Sequence, residues 1–419
     1  MNFHYESTEL HCESVSISAI ARAVGTPFYV YSLDEIERRV RAYQEAFPSA
    51  LIAYAYKANA NLAILRHLVS LGVGADVVSG GELWRALKVG TPPNQIVFNG
   101  NGKTPAEIAY AIDSDVLCIN VDSAEELELV AEIARAKNKT VPIAFRLNPD
   151  IDALTHKHIS TGHKASKFGV PFEDVEPVIR RAQQLPAVRI VGIHSHIGSQ
   201  IIQPEPMRAR AEFMHDLALR VRALGVELQH INLGGGLGIV YHDEHPMHPK
   251  EWAEIVDLTG LKDLSGLIIL EPGRSIVAPA GALVASVTHL KCTPEKNFLV
   301  LDAGMHTLLR PALYEAYHEI RPVRTGAIHE LPLHMDVVGP ICESADFLGH
   351  DRELPALQRG DLIVVMDAGA YGMAMASRYN QQPLPAEVVV QGDQWRVVTQ
   401  RETYEQMAER EMWQTAGDR

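Results

Sequence analysis

The stretch LIAYAYKANANLAILRHLVSLGVGADVV (51–78) decides the fold, because it holds two strand-like segments around one helical segment. LIAYAY (51–56) and GADVV (74–78) are short apolar runs of the kind that predicts buried strands. NLAILRHLVSLG (61–72) has leucine and valine three and four residues apart and ends at a glycine, which predicts a helix. A strand, a helix and a second strand in this order form the unit of a parallel α/β sheet.

The same alternation continues along the chain and predicts a TIM-type (β/α)8 barrel over residues 31–280. An open, doubly wound parallel sheet is the alternative that the pattern leaves open. The connection after the fifth strand, residues 149–170, is long and rich in glycine, lysine and histidine, and we expect it to be a functional loop. The eight predicted strands are 51–56, 74–78, 95–98, 116–120, 141–147, 189–195, 230–234 and 267–270.

The chain after residue 280 has a different pattern, with short strands separated by Gly, Asp and Pro turns and few helices. This pattern predicts a C-terminal antiparallel β-sandwich or barrel-like domain over residues 281–419. Residues 1–30 are assigned to the same domain, although the strand-like PFYVYS (27–32) could join either domain.

Composition and charge argue against several classes of function. A 419-residue chain with 47% hydrophobic residues can build a sizeable core, and its formal net charge of −14 argues against a nucleic-acid-binding surface. The N-terminus lacks the basic and apolar regions of a secretory signal, and no apolar run is long enough to cross a membrane. Cys12, Cys118, Cys292 and Cys342 are scattered, so we expect free thiols and a cytoplasmic location.

Unusual residues follow the ends of the predicted barrel strands, where barrels of this type place their reactive groups. Lys57 follows the first strand, Arg146 ends the fifth, and HSHIGS (194–199) ends the sixth. LGGGLG (233–238) ends the seventh strand and EPGR (271–274) ends the eighth. If the strands are placed correctly, all these groups meet at one rim of the barrel.

Two glycine-bearing turns predict a phosphate site. Gly234–Gly236 would let backbone N–H groups approach a ligand closely, and residues 272–274 add further donors and a guanidinium. Barrels often bind phosphate with the loops after strands seven and eight, although each turn alone is also typical of a simple tight turn. If the phosphate belongs to pyridoxal phosphate, Lys57 would be the amine that attacks its aldehyde, whereas a lysine taken singly is more often ion-paired.

Two further residue types fit a flat cofactor. Glu271 follows an apolar strand, and a buried carboxylate there needs a partner such as a pyridinium N–H, or a salt bridge to Arg146 or Arg274. His194 and His196 alternate, so on a strand they point to the same face. No clustered carboxylate accompanies them, so we expect no metal site. Instead, His196 is predicted to stack on the cofactor and His194 to be a core residue.

Three segments of the β domain carry polar side chains, and each segment taken alone is more typical of an ordinary turn. Arg310 and Tyr314 are four residues apart, while Tyr371 lies in a glycine-rich stretch. Cys342 stands beside Glu343, and a neighbouring carboxylate does not favour a strongly acidified thiol. This thiol therefore suits a proton donor better than a thiolate nucleophile.

Seven motifs stand out along the chain: YAYKANAN, HSHIGSQ, LGGGLGI, EPGRSIVA, RPALYEAYHEI, GPICESADFL and DAGAYGMAMASRYN. Together they resemble the meso-diaminopimelate decarboxylases, which are pyridoxal-phosphate enzymes with an alanine-racemase-like barrel (fold type III) and a C-terminal β domain. The motifs follow the family's order over nearly the whole chain. The lysine, GGG and EPGR motifs are shared with ornithine and arginine decarboxylases, whereas RPALYEAYH and CESADFL discriminate.

The resemblance implies a role for each matching residue. Lys57 would form the Schiff base with the cofactor, His196 would stack on its ring and Glu271 would face the pyridine nitrogen. Cys342 would be the acid, and the partner subunit of a homodimer with shared active sites would supply it together with Glu343. The remaining cofactor-binding set would be Ser199, Gly235, Gly236, Pro272, Gly273, Arg274 and Tyr371, and the substrate-binding set Arg274, Arg310, Tyr314, Glu343 and Tyr371.

The implied reaction is the decarboxylation of meso-2,6-diaminopimelate to L-lysine and CO2, the last step of lysine biosynthesis. A substrate with a carboxylate at its far end needs a cation there, and the guanidinium of Arg310 fits that role. The alternatives are a decarboxylase of arginine, ornithine or a carboxylated polyamine, an amino-acid racemase, and a non-catalytic carrier of the cofactor. Two residues, His163 and His306, depart from the family's pattern.

Overall fold

The structure is a computed structural model in which residues 2–152, 168–325 and 332–411 are described. The described part includes both ends of the predicted functional loop at 149–170, whereas the middle of that loop, with His163, lies outside it. Among the described residues, no helix is both long enough and apolar enough to cross a membrane.

One compact unit, Ile36–Ala278, contains eight parallel barrel strands, each paired with the next barrel strand along the chain, and a ninth strand, Val170–Pro171, which pairs with the fifth. The eighth strand also pairs with the first, with Ile269 opposite Leu51 and Leu270 opposite Ile52, so the sheet closes. This closure confirms the predicted (β/α)8 barrel and excludes the open, doubly wound alternative. The barrel strands are Leu51–Ala55, Gly74–Val77, Ile96–Phe98, Cys118–Val121, Val141–Asn148, Val188–His194, His230–Asn232 and Leu267–Leu270.

Helices alternate with the barrel strands, and polar side chains mark where several of them begin. Ser79, Thr104 and Ser123 each accept a hydrogen bond from the N–H three residues later, which satisfies a donor that a helix N-terminus leaves unpaired. The helices of this part of the chain are Leu33–Ala46, Leu62–Ser70, Gly80–Val89, Pro105–Asp113, Ala124–Ala136, Val175–Gln183, Pro204–Ala223, Pro249–Leu258 and Arg274–Val277.

The second unit, Met1–Glu35 with Pro279–Arg419, contains a three-stranded and a nine-stranded sheet. The strand Phe28–Ser32, in which every residue is buried, pairs antiparallel with Gly281–Cys292 and parallel with Ala386–Gln391. PFYVYS therefore joins this β unit as an inner strand of its larger sheet. A continuous apolar run is what a strand covered on both faces requires.

The larger sheet of the β unit is mixed rather than wholly antiparallel. Besides the parallel pairing of Phe28–Ser32, the strands Asn297–Leu301 and Leu333–Val338 are parallel partners. The smaller sheet consists of Phe3–Glu6, Glu9–Cys12 and Val15–Ser16; the larger one consists of Phe28–Ser32, Gly281–Cys292, Asn297–Leu301, Ile320–Pro322, Leu333–Val338, Phe347–Leu354, Leu362–Val365, Ala386–Gln391 and Gln394–Thr399; the helices are Ile17–Val24, Arg310–Tyr314 and Tyr404–Ala408.

Candidate active site

Lys57 lies in a single 3-10 turn, Tyr56–Ala58, directly after the first barrel strand. Its Nζ lies 3.6 Å from Oδ2 of Asp76, a buried residue of the second strand. The side chain of Lys57 is 39% exposed, so a ligand can reach the amine even though a buried carboxylate stands beside it. Lys57 can therefore be paired with Asp76 and still be accessible to a cofactor.

The turn that carries Lys57 contacts the turn after the eighth strand. The N–H of Ala55 donates to the carbonyl of Pro272 at 3.0 Å. A Cβ added at Gly273 would lie 3.1 Å from the Cβ atoms of both Ala55 and Ala58, so a glycine allows this close approach. Pro272 has no N–H to offer a ligand, and its contact holds the two turns together.

Glu271 is buried at the end of the eighth strand and accepts hydrogen bonds from three directions. Its Oε1 accepts from Nδ2 of Asn99 at 2.7 Å and from Nδ2 of Asn232 at 2.6 Å. Its Oε2 lies 3.2 Å from Nε2 of His194. These partners are amides and an imidazole, not the arginines that the sequence suggested as an alternative.

Asn99 joins two buried carboxylates. Its Nδ2 donates to Oδ1 of Asp76 at 2.6 Å as well as to Oε1 of Glu271. Its own Oδ1 accepts from Nδ2 of Asn120 at 2.6 Å, which fixes the orientation of the Asn99 amide. We call these four residues, together with Asn232 and His194, the barrel network. Through it, the carboxylate beside Lys57 is connected to Glu271.

The two carboxylates of the barrel network have opposite pKa shifts. Burial and the charge of Glu271 raise the pKa of Asp76 to about 6, although Lys57 opposes the shift. Burial would raise the pKa of Glu271 as well, but His194 and Lys57 outweigh it and hold that pKa below its ordinary value. Glu271 is therefore the carboxylate that stays ionised throughout the neutral range, because it has the stronger set of donors.

His196 is tied to the glycine turn. The N–H of Gly235 donates to Nδ1 of His196 at 3.2 Å, so this ring nitrogen carries no proton. The carbonyl of Gly235 in turn accepts from Nη1 of the buried Arg210 at 2.7 Å. Burial and the charges of Lys57 and Arg146 lower the pKa of His196, so its ring is neutral and presents a flat, uncharged face.

The glycine turn has the features of an anion cradle. A Cβ at Gly235 would lie 2.1 Å from the carbonyl oxygen of Glu271, so this position has no room for a side chain. Gly236 has a φ of +118°, which residues with side chains rarely adopt. Within the described part of the chain, the N–H groups of Gly236 and Gly273 have no hydrogen-bond partner. Backbone donors of this kind are what a phosphate oxygen requires.

Arg274 is buried and held by two hydroxyl groups. Its Nε donates to Oγ of Ser199 at 3.1 Å, and its Nη1 donates to the hydroxyl of Tyr241 at 2.8 Å. The predicted phosphate residues Ser199 and Arg274 are therefore in direct contact. The barrel residues singled out from the sequence thus meet at the ends of its strands, and they fit a cofactor with a phosphate, a flat ring and an amine-reactive carbon.

In the β unit, Arg310 begins the helix Arg310–Tyr314 and is buried. Its Nη1 lies 2.7 Å from Nε2 of His318. Tyr314 ends the same helix and is half-buried, so both predicted residues come from one short element. His306, four residues before Arg310, is also buried, and burial lowers its pKa to about 4.

Cys342 and Glu343 are both exposed on this chain. The N–H of Cys342 donates to Oδ1 of Asn380 at 2.8 Å, and the hydroxyl of Tyr379 lies 3.5 Å from Oε2 of Glu343. The Cys–Glu segment is thus linked to the segment that follows the glycine-rich stretch. Tyr371, within that stretch, is half-buried and has a φ of +56°.

Most of the barrel network was not predicted from the sequence. GADVV, with Asp76, was expected to be an ordinary strand and His194 a core residue, and Asn99, Asn120 and Asn232 were given no role. A usable signal was present, because each of these polar residues lies at a buried position in or directly after a barrel strand. Such positions face the same rim as the predicted site.

A match to a known protein family identifies the class of protein to which the barrel belongs. The family model for the pyridoxal-binding domain of pyridoxal-dependent decarboxylases matches residues 33–278, which covers the barrel. The residues of the barrel rim therefore belong to a domain whose family binds pyridoxal.

Full-length relatives narrow this class. The diaminopimelate decarboxylase of Aquifex aeolicus is 45% identical over 97% of this chain and 96% of its own length. Solved structures of diaminopimelate decarboxylase in complex with L-lysine are also similar. That from Helicobacter pylori has a TM-score of 0.90 at 40% identity and covers 94% of this chain and 98% of its own. That from M. jannaschii has a TM-score of 0.93 at 38% identity and covers 99% and 98%. This chain belongs to the diaminopimelate decarboxylase family.

Proposed function

We propose that the protein is a pyridoxal-phosphate-dependent carboxy-lyase that converts meso-2,6-diaminopimelate into L-lysine and CO2 as the last step of lysine biosynthesis. The relatives named above support this reaction, and two of them were solved with L-lysine. The structural observation that carries the choice of substrate is the buried guanidinium of Arg310. A guanidinium suits the distal carboxylate of diaminopimelate, whereas the second amine of ornithine would need an anion.

The residues at the barrel rim would hold the cofactor as follows. Lys57 would bind it through its amine, His196 would lie against its ring, and Glu271 would accept a hydrogen bond from its ring nitrogen. Bound pyridoxal phosphate supplies an electron sink for the electron pair that remains on Cα when CO2 leaves. The phosphate would be held by Ser199, Gly235, Gly236, Gly273, Arg274 and Tyr371, with Pro272 holding the turn in place.

Glu271 would determine which reaction is favoured. Because it stays ionised, it can keep a proton on a ring nitrogen that donates to it, and a protonated ring is the stronger electron sink. The neutral His196 would pack against the ring without adding charge. This arrangement favours decarboxylation over the racemase alternative, for which a weaker sink is sufficient.

Cys342 would donate the proton that replaces the departing carboxylate on Cα. Proton donation by a positioned side chain is worth roughly 10²–10⁴-fold in rate. Arg310 would bind the distal carboxylate of the substrate, and Arg274, Tyr314, Glu343 and Tyr371 would complete the substrate-binding set.

We further propose that the enzyme is a homodimer with shared active sites in the cytoplasm. The exposure of Cys342 and Glu343 supports a role that a second subunit completes. All four cysteines are free thiols, and two of them are exposed, which suits a reducing compartment.

The reaction is tested by supplying purified protein with pyridoxal phosphate and measuring the release of CO2 and lysine from meso-diaminopimelate. Arginine and ornithine are supplied in separate assays as alternative substrates. We expect release from meso-diaminopimelate alone. Arg310→Ala should raise KM for it by about 100-fold, because a buried charge-assisted contact is lost. Arg359→Ala, at an exposed arginine of the same unit, is the matched control. Release from ornithine or arginine but not from meso-diaminopimelate would overturn the proposal.

A further inference from the structure

His318 is fully buried and contacts two groups of different kinds. Its Nδ1 lies 2.7 Å from the carbonyl oxygen of Met366, and its Nε2 lies 2.7 Å from Nη1 of Arg310. The first contact is fixed in the backbone, because the N–H of Met366 itself donates to the carbonyl of Glu319 at 2.8 Å. His318 therefore connects the backbone directly after the strand Leu362–Val365 to the guanidinium of Arg310.

These two contacts determine the protonation state of His318. A carbonyl oxygen can only accept a hydrogen bond, and a guanidinium can only donate. Nδ1 of His318 must therefore carry the proton, and Nε2 must be the acceptor. The ring is neutral in one tautomer, and both of its nitrogens are satisfied.

A neutral acceptor has a specific consequence for Arg310. A carboxylate at the same place would orient the guanidinium but would also neutralise it. The imidazole of His318 orients the guanidinium and leaves its charge in place. Because orientation is fixed before a ligand arrives, the ligand does not have to order this side chain.

We propose that His318 is a positioning residue that holds Arg310 ready for the distal carboxylate of the substrate without cancelling its charge. This inference rests on the proposed function, in which Arg310 binds that carboxylate. It predicts that His318 affects substrate affinity through a single ring nitrogen, Nε2.

Two substitutions separate the two nitrogens of the ring. His318→Asn keeps a donor near the position of Nδ1, facing Met366, and removes the acceptor for Arg310. His318→Gln places an amide oxygen near the position of Nε2 and removes the donor. In the holoenzyme, His318→Asn should raise KM for meso-diaminopimelate about tenfold with little change in kcat, and His318→Gln should stay within about threefold of the wild type.

A merely structural role predicts a different outcome, because each variant loses one buried hydrogen bond and both should then behave alike. Tyr31→Phe is the control for such a loss, since it removes the 2.8 Å bond from a buried tyrosine to Glu387 in the same unit. It should lower the melting temperature and leave KM unchanged. Equal KM values for His318→Asn and His318→Gln would overturn the proposal.

Arg310→Gln distinguishes failure of this inference from failure of the proposed function. If it leaves KM unchanged, Arg310 does not bind the substrate and the proposed function fails at that residue. If it raises KM but His318→Asn does not, only the positioning role of His318 fails. The double variant His318→Asn/Arg310→Gln should have the same KM as Arg310→Gln alone, because His318 acts only through Arg310. Should His318→Asn fail to fold, a KM for His318→Gln as high as that of Arg310→Gln would overturn the proposal.

Discussion

In the barrel, Glu271 accepts three hydrogen bonds inside a buried network, whereas in the β unit Cys342 and Glu343 are exposed. The barrel network fixes side chains through other side chains. The Cys–Glu segment is fixed mainly through its backbone, by the bond from the Cys342 N–H to Asn380.

The difference suits two kinds of chemical task. Charge stabilisation is most effective when dipoles and charges are in place before the reaction, and Glu271 and His196 are held in this way. A proton donor must also lie at the reacting carbon, and an exposed thiol acquires a defined environment only when something covers it. This contrast is the structural support for the homodimer proposed above.

The largest effect should come from the amine at the edge of the barrel network. Lys57→Ala should abolish the visible absorption band of lysine-bound cofactor and lower kcat by at least about 10³-fold, because no other nucleophile replaces the amine. Absorption spectra and CO2 release measure these effects. Lys250→Ala, an exposed lysine of the same unit, should leave both unchanged. A normal band in Lys57→Ala would refute the assignment of the barrel rim as the cofactor site.

The next largest effect should come from Cys342 in the exposed Cys–Glu segment. Cys342→Ala should lower kcat by roughly 10²–10⁴-fold while the cofactor band persists, because only proton donation is lost. Mixing Cys342→Ala with Lys57→Ala subunits should restore activity to about a quarter of the wild type, since half of the dimers then contain one intact site of two.

The mixing experiment also decides where Cys342 acts. If each active site were built from one subunit alone, mixing would place both defects in separate sites and restore nothing. An affinity tag on the Cys342→Ala subunit alone tests for exchange, because untagged Lys57→Ala then co-purifies with it only if mixed dimers have formed. Exchange without recovered activity would contradict the shared site.

The barrel could be predicted from the sequence because its signals are local. Each strand is a short apolar run, and glycines at 234–236 and 273 mark turns where Cβ atoms would collide with backbone or neighbouring side chains. Lys57 and Glu271 stand out as charged residues at the ends of apolar strands. The closing pair of the barrel, Leu51 with Ile269, then follows from the number of strands.

The contacts between side chains could not be predicted in this way. Asn99 and Glu271 are far apart in the chain, and nothing in either local sequence indicates that one amide serves two carboxylates. Arg310 and His318 are only eight residues apart, but their contact depends on how the chain turns between the helix Arg310–Tyr314 and the strand Ile320–Pro322. The strand Phe347–Leu354 was not predicted either. Much of its surface is not buried, so its sequence is polar and lacks the apolar run that indicates a strand.

A third prediction tests whether the barrel network acts as a unit. Asn99→Leu removes the donor that Asp76 and Glu271 share and leaves the Asn120 amide without its acceptor. The free energy of unfolding should fall by about 2–4 kcal/mol, since buried polar groups lose their partners. Urea unfolding followed by circular dichroism measures this change. Asn94→Leu, at an exposed asparagine, is the matched control, and an equal effect of both variants would show that the network is not a unit.

The smallest effect is a pH dependence that Asp76 should impart. Its pKa of about 6 in the folded protein exceeds the ordinary value, so the folded state binds more protons and Asp76 stabilises it most at low pH. This stabilisation is lost as the pH rises through about 6. Asp76→Asn removes the dependence, so its stability relative to the wild type should improve by about 2 kcal/mol between about pH 4.5 and about pH 7.5.

Comparison of variant with wild type is necessary because another buried carboxyl titrates in the same range. Burial raises the pKa of Glu82 to about 7, with a smaller contribution from the charge of Asp76. The part due to burial is present in both proteins and cancels in the difference, whereas the part due to Asp76 belongs to the effect of the substitution. Urea unfolding of both proteins at the two pH values gives that difference directly. A constant difference would mean that Asp76 has an ordinary pKa, and that Asn99 and Lys57 together compensate its burial beside Glu271. The contrast between the barrel network and the exposed Cys–Glu segment would then be one of burial and hydrogen bonding alone.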